Sequence, residues 1–229
     1  GRFGLTPTGA ATYSIPIQVA PGVAGMQPAL SLEYNSQSDD GFFGIGWQLS
    51  GFSNVHRCPA TIAQDGFAGS VNFDANDRYC LDGKRLIAVA GVNGGEGTEY
   101  RSETETFARI IGTATKFTAW KKSGEVYEYA QTIAAVNNAT RLWALSKISD
   151  RKGNAITISY RPDTGVLIPI RIDYPGGAVA FSDGPRPDVV QSYLGGLKVR
   201  YSNVINQIKT YTNGVAGPIR EYRLNYQQG

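Results

Sequence analysis

The stretch from Tyr13 to Cys58 constrains the fold more than any other part of the sequence. Residues 13–17 and 29–34 alternate apolar and polar side chains, which is the period of a half-buried β-strand. A segment rich in proline and glycine, residues 21–28, separates them. Because proline lacks the N–H group that a sheet ladder requires, Pro16 predicts that the first strand lies at a sheet edge or a bulge.

A glycine-rich turn, residues 41–47, follows these two strands. Glycine has no Cβ, so it tolerates positive φ and lets another chain segment approach closely. Gly41, Gly44 and Gly46 therefore predict a tight structural turn beneath four large side chains, which are Phe42, Phe43, Ile45 and Trp47. The segment contains no catalytic group, and its glycine order does not match a dinucleotide-binding loop.

The composition favours many short strands joined by tight turns. The chain has 229 residues, with 28 Gly and 13 Tyr but only one His and one Met. Strand formers and turn formers thus dominate over helix formers. We predict an all-β fold of successive antiparallel hairpins, with a length that fits one large β unit or two small domains.

Charge and hydropathy argue against nucleic-acid binding and against a membrane-spanning segment. The net charge of +3 is too small to indicate nucleic-acid binding. Residues 1–150 carry net −2 and residues 151–229 carry net +5, which fits a mildly basic solvated face or a docking face for an acidic partner. No stretch approaches the ~20 apolar residues of a membrane span, and no signal peptide is visible. We expect the chain to start inside a longer protein.

Hairpin signals continue through the rest of the chain. Asp82-Gly83 between residues 78–81 and 86–90 predicts a two-residue hairpin turn. Further alternating segments predict strands at 107–111, 116–121, 126–129, 142–148, 156–160, 168–174 and 219–226. Residues 131–140 fit either a short helix or a loop, and Asn138 to Thr140 matches a glycosylation sequon by pattern alone. The proline-rich residues 183–188 predict a rigid extended segment, followed by one helical turn at 189–194.

Histidine, cysteine and carboxylate residues do not assemble into a known catalytic or metal-binding pattern. His56, Cys58 and Cys80 supply three ligands where zinc needs four. Two cysteines make no disulfide framework, so free buried thiols are favoured over a single bridge. We therefore predict no catalytic, cofactor-binding or metal site, and no cofactor.

Acidic residues lie in pairs at turns or on polar strand faces. We interpret them as solvent-exposed charges rather than as catalytic pairs. The pairs are Asp39 and Asp40, Glu103 and Glu105, and Glu125 and Glu128. In the calcium-loop-like run Asp74, Asn76 and Asp77, Arg78 stands where the third ligand belongs, so the pattern fails.

Aromatic residues leave one alternative open. Trp120, Trp143 and exposed tyrosines could form platforms that stack on sugars, as in a carbohydrate-binding or adhesive β module. The competing interpretation is that these rings form the core of a glycine-rich sheet.

Several sequence strings carry a family resemblance. They are Gly9–Ile17, Pro21–Pro28, Leu30–Ser36, Gly44–Trp47, Asp77–Leu86, Asp150–Asn154 and Arg186–Val190. On these strings the chain resembles the amino-terminal domain of the SpvB virulence protein, shared with the B component of insecticidal Tc toxin complexes. The strand-ending tyrosines after Asp-x-x-Gly-Asn also resemble the Rhs/YD repeat, which builds a long winding β-sheet closing into a hollow shell.

The resemblance implies a structural function. Residues 1–229 would be one SpvB-like β domain of a longer chain, secreted and part of a shell that encloses or delivers a toxic polypeptide. Its partners would be other toxin-complex subunits or downstream shell and cargo domains. In SpvB-like proteins the ADP-ribosyltransferase activity belongs to a separate carboxy-terminal domain. In Tc-type proteins the autoprotease and the cargo lie on the partner component, and no motif here matches either activity. The propeller that usually follows in the B component is absent from these residues.

Overall fold

The computed structural model describes residues 1–134, 139–194 and 196–227. Its strands are β1 Arg2–Leu5, β2 Ala11–Ile17, β3 Leu30–Asn35, β4 Trp47–Leu49, β5 Asn54–Cys58, β6 Arg78–Leu81, β7 Lys84–Ala90, β8 Thr98–Ser102, β9 Arg109–Gly112, β10 Phe117–Trp120, β11 Val126–Ala134, β12 Thr140–Ser149, β13 Ala155–Asp163, β14 Val166–Tyr174, β15 Gly177–Leu194, β16 Leu197–Thr212 and β17 Arg220–Arg223. The helical elements are a 3₁₀ turn at Val23–Gly25 and the single-turn helix α1 at Ile62–Asp65. No helix in these residues is long and apolar enough to cross a membrane.

The chain divides into two compact units, and the predicted all-β fold of antiparallel hairpins is confirmed in both. Unit 1 comprises Gly1–Phe52, Ile156–Ser192 and Val199–Gly229, and unit 2 comprises Ser53–Ala155 and Tyr193–Lys198.

In unit 1 a four-stranded antiparallel sheet has the order β1-β2-β3-β4. Ile17 pairs with Leu30, and both side chains are buried, as their alternation predicts. Strand β1 ends its pairing at Ser14, so Pro16 occupies a stretch of β2 with no neighbour on that side. The predicted edge position of this proline is therefore confirmed.

The other strands that lie mainly in unit 1 follow the order β13-β14-β15-β16-β17, and Tyr193–Lys198 belongs to unit 2. Strand β15 is 18 residues long and β16 is 16 residues long, about three times the usual strand length. The predicted helical turn at residues 189–194 is wrong, because these residues continue β15. The last strand is shorter than predicted, since it comprises Arg220–Arg223, with one further backbone hydrogen bond to β16 on each side, from the Ile219 and Leu224 N–H groups.

In unit 2 the eight strands β5 to β12 close into a barrel. Each strand from β5 to β11 pairs with the next, and β12 pairs with both β11 and β5. The closing pair places Leu142 opposite His56 and Trp143 opposite Val55. The predicted hairpin at Asp82-Gly83 is confirmed, with φ of 49° and 77° at its two turn residues. The helix or loop expected at residues 131–140 is wrong for 131–134, which extend β11, while Asn138 of the sequon lies outside the described residues.

Aromatic rings fill the barrel core. Tyr79, Tyr100, Phe117 and Trp143 are all buried. Their rings meet edge-on or tilted, with centroids 5.1 to 5.9 Å apart. Such geometry adds about 0.5–1.5 kcal/mol per pair beyond area burial, so this cluster contributes strongly to the packing of unit 2.

Candidate functional site

The two cysteines form a disulfide. Cys58 on β5 and Cys80 on β6 lie on neighbouring antiparallel strands with Cα atoms 5.9 Å apart, and their sulfur atoms are bonded. The prediction of free thiols is therefore wrong. Counting cysteines could not show that these two strands pair, which is what brings the side chains together. No free thiol is available here as a nucleophile or metal ligand.

We expect the denatured chain to show no reactive thiol before reduction and two after it, which a thiol-specific reagent measures. Reduction should lower the free energy of unfolding by about 2–4 kcal/mol, because the bond closes a loop with a sequence separation of 22 residues. Two reactive thiols in the unreduced, denatured protein would contradict the bridge.

His56 has a local structural role. Its Nδ1 lies 2.9 Å from Oδ1 of Asn54 on the same strand. Burial lowers the pKa of His56, and the charge of Arg141 acts in the same direction. Among the described residues no group of three His, Cys, Asp or Glu side chains could hold a metal ion.

Most of the acidic residues named from the sequence accept a hydrogen bond or ion pair from a separate donor. Glu103 accepts a hydrogen bond from Gln64 Nε2 at 2.6 Å, and Glu128 lies 3.6 Å from Lys147 Nζ. Asp77 is fully buried, and its carboxylate accepts hydrogen bonds from Arg57 and from the backbone N–H groups of residues 72 and 73. This carboxylate thus organises the loop before β6.

The glycine-rich turn, residues 41–47, depends on two of its three glycines. Gly44 and Gly46 have φ of 83° and 77°. A Cβ on Gly46 would lie 2.6 Å from the Tyr34 ring and 2.8 Å from the Asn35 carbonyl oxygen. A Cβ on Gly41 would meet nothing within 4 Å, so this glycine makes no close approach. The large side chains differ too, since Phe43 and Trp47 are buried or half-buried while Ile45 is exposed.

A buried arginine holds this turn in place. The Arg186 side chain is 2% exposed, and its guanidinium donates to the carboxylates of Asp40 and Asp188 and to the Gly41 carbonyl oxygen at 3.1 Å. Those three acceptors use all three guanidinium nitrogens, and the hydrogen bonds to Asp188 and Asp40 raise the pKa of Arg186 despite burial. We call Arg186, Asp40 and Asp188 the arginine clamp. Sequence reasoning missed it, although an arginine between two prolines beside an aspartate was a visible signal.

Arg186 and Asp188 of the arginine clamp line a cavity of about 740 Å³ in unit 1. Residues of the glycine-rich turn and of the segment after β17 line the same cavity. There Tyr226 donates a hydrogen bond to the Ile205 carbonyl oxygen at 2.7 Å. The Arg186 guanidinium and the Tyr226 hydroxyl are thus both engaged in hydrogen bonds that hold chain segments in place.

The Asp-x-x-Gly-Asn segment forms a closed polar turn. The Asp150 carboxylate accepts hydrogen bonds from the side chain and backbone N–H of Asn154 and from the backbone N–H of Lys152. The hydrogen bond from the Asn154 side chain is the main cause that holds the pKa of Asp150 below its usual value. Gly153 supplies the φ of 87° that the turn requires.

The two tryptophans considered as sugar platforms have different environments. Trp143 is 2% exposed within the aromatic core of the barrel, so it cannot act as a surface platform. Trp120 is 38% exposed on β10, and the Arg109 guanidinium lies over its ring at 5.5 Å.

These features define an all-β domain in which the named polar groups hold strands and turns together. The family model described as SpvB, Salmonella virulence plasmid 65kDa B protein, matches residues 5–213. The chain belongs to this family. No curated protein matches it.

Solved structures show the same fold. The crystal structure of TcdB2-TccC3 superposes with a TM-score of 0.80 at 20% identity, over 99% of this chain and 15% of that one. A Photorhabdus luminescens Tc holotoxin pore superposes with a TM-score of 0.78 at 19% identity, over 99% of this chain and 15% of that one. The N-terminal domain of effector protein SpvB from Salmonella typhimurium strain LT2 superposes with a TM-score of 0.63 at 16% identity, over 85% of this chain and 87% of that one. The chain thus spans about 15% of the length of the first two relatives.

Proposed function

We propose that this chain is a non-catalytic structural domain of a bacterial toxin or virulence protein. It contributes to a β-sheet shell that encloses or delivers a toxic polypeptide. The observation that carries the proposal is the fold match over 99% of the chain, both units included, to a small part of a much longer toxin-complex chain. Because the same fold occurs as one segment of that longer chain, it is suited to be a structural part of a larger assembly.

Strand length and edge exposure support the same function. Strands β15 and β16 exceed the usual length of strands in small domains. Among the described residues β17 pairs only with β16, so its other edge presents unpaired backbone groups. An exposed edge is a template for the pairing of another strand. This edge of β17 would pair with a strand from a downstream shell domain or from another toxin-complex subunit.

Secretion fits the disulfide. Bonds such as Cys58–Cys80 form and persist in oxidising compartments and are rare in a reducing cytosol. We propose that the parent protein is exported, and that the barrel of unit 2 folds with its bridge in place.

Direct imaging tests the shell function. A cryo-electron microscopy reconstruction of the full-length protein with its cargo should place both units in the wall of a closed cavity that surrounds cargo density. A well-resolved domain projecting away from a complete shell would contradict the proposal.

The residues considered for catalysis are expected to be dispensable. His56→Ala, Glu103→Gln and Glu105→Gln should leave the toxic activity of the full-length protein within about twofold of wild type, because local hydrogen bonds explain His56 and Glu103. Circular dichroism and gel filtration first confirm folding and assembly. A folded, assembled variant with strongly reduced activity would identify an active site in this chain.

A further inference from the structure

A second cavity opens at one end of the barrel in unit 2. Its volume is about 200 Å³, and it lies where the tips of the β7–β8 and β9–β10 hairpins meet the end of β5. A liquid water molecule occupies about 30 Å³, so the space suits several waters or one small ring. The mouths of β-barrels are a common place for small-ligand sites.

The floor of this cavity is rigid and aromatic. Tyr79, Tyr100, Phe117 and Trp143 all line it, and each ring is fixed by contacts with others of the group. The hydroxyl of Tyr100 is already used, because it accepts a hydrogen bond from the Gly94 N–H at 2.8 Å. A preformed floor of this kind needs little reorganisation when a ligand arrives.

Some hydrogen-bonding groups that line the cavity have no partner among the residues that the structure describes. The Tyr79 hydroxyl and the Nη2 group of Arg57 make no hydrogen bond to any residue in the described parts of the chain. Beside the hydroxyl stands Gly94, whose Cβ, if present, would lie 3.2 Å from the phenolic oxygen. The missing side chain keeps this hydroxyl accessible. Burial raises the pKa of Tyr79, so the hydroxyl stays neutral at physiological pH.

The charge of the site is balanced, which restricts the ligand. Arg57 Nη1 donates to the buried Asp77 carboxylate at 3.0 Å, and Arg57 Nε donates to the Thr140 carbonyl oxygen at 2.7 Å. The cation is thus paired within the wall, and an anionic ligand would find no uncompensated positive charge. Ligand hydroxyl groups are a better match, because they can accept a hydrogen bond from Arg57 and can donate a hydrogen bond to the Tyr79 hydroxyl or accept one from it.

We propose that the barrel-mouth cavity binds a single neutral sugar ring. C–H groups of the sugar contact the small parts of the floor rings that face the cavity, while its hydroxyls meet Tyr79 and Arg57. This binding activity is additional to the proposed structural function, whose supporting edge, β17, lies in unit 1 and does not line this cavity.

Nuclear magnetic resonance on the labelled 229-residue chain tests the proposal. The probes are neutral methyl hexosides and methyl N-acetylhexosaminides, with glucuronate as the anionic comparison, each titrated into the millimolar range. At least one neutral glycoside should shift, saturably, the amides of Gly94, Gly95 and Gly112. The indole N–H of Trp143, which has no hydrogen-bond partner in the described residues, is a fourth reporter.

Three variants locate the binding. Tyr79→Phe should weaken the affinity about tenfold, the typical effect of losing one hydrogen bond, with an unchanged melting temperature. Ala114→Trp places a large side chain at the exposed mouth and should abolish binding. Thr115→Trp is the matched control, because Thr115 is exposed on the same turn but does not line the cavity, and it should bind as wild type.

Other outcomes overturn the proposal. They are the absence of saturable shifts with every neutral glycoside, binding of glucuronate alone, unchanged affinity in Tyr79→Phe, or shifts that persist in Ala114→Trp. None of these results bears on the shell function, which the imaging of the full-length protein tests separately.

Discussion

Gly46→Val should lower the free energy of unfolding of unit 1 by about 3 kcal/mol or prevent its folding. Valine is strained at the φ of 77° found there, which costs about 1–3 kcal/mol. Its Cβ would also lie 2.8 Å from the Asn35 carbonyl oxygen, so the backbone of β3 or of the turn must shift. That shift would disturb the 2.9 Å hydrogen bond from the Asn35 N–H to the Gly46 carbonyl oxygen. Urea denaturation measures the loss.

Two related substitutions serve as controls for this prediction. Gly41→Val should cost less than about 1 kcal/mol, because Gly41 has neither a positive φ nor a close neighbour. Gly44→Val should fall between the two, since the ring it would meet belongs to the partly exposed Tyr226, which can move. Equal stability of the Gly41 and Gly46 variants would show that the turn does not depend on its close approach.

Arg186→Met should destabilise unit 1 by about 3 kcal/mol. The change leaves the Asp40 carboxylate, whose side chain is 17% exposed, without its bidentate partner, and it leaves the Gly41 carbonyl oxygen without that donor. Removal of one partner from a buried ion pair typically costs about 3–5 kcal/mol. Asp188 is 60% exposed and can be solvated, which places the expected loss at the lower end.

The matched control is Arg171→Met on β14. Arg171 also pairs with an aspartate two residues away, but both side chains are about half exposed. Exposed pairs contribute at most about 1 kcal/mol, so this variant should melt close to wild type. If both arginine variants lose the same small amount, the arginine clamp does not hold the glycine-rich turn.

Local features of this fold could be predicted from the sequence because their causes are local. The alternation of residues 29–34 gave the buried face of β3, and Asp82-Gly83 gave a hairpin whose turn residues need positive φ. The glycines of the glycine-rich turn were recognised for the same reason. Only the structure distinguishes Gly41 from Gly44 and Gly46, since the distinction depends on neighbouring side chains.

Non-local features could not be predicted, because periodicity within a strand does not reveal its distant partners. The barrel closes through pairing of Trp143 with Val55, and the arginine clamp joins residues 146 positions apart. The disulfide depends on the pairing of β5 with β6 in the same way. Residues 189–194 have no strong strand pattern of their own, and they continue a strand that begins at Gly177.

Hydrogen exchange at β17 tests the central claim that this domain continues into a larger sheet. In the 229-residue chain, amides of Arg220–Arg223 that point away from β16 should exchange rapidly, because no strand in the described residues pairs with that edge. In the full-length protein the same amides should be strongly protected, while Leu30–Asn35 should exchange similarly in both. Equal protection of Arg220–Arg223 in a monomeric 229-residue chain and in the full-length protein would contradict the shell function and indicate a self-contained module.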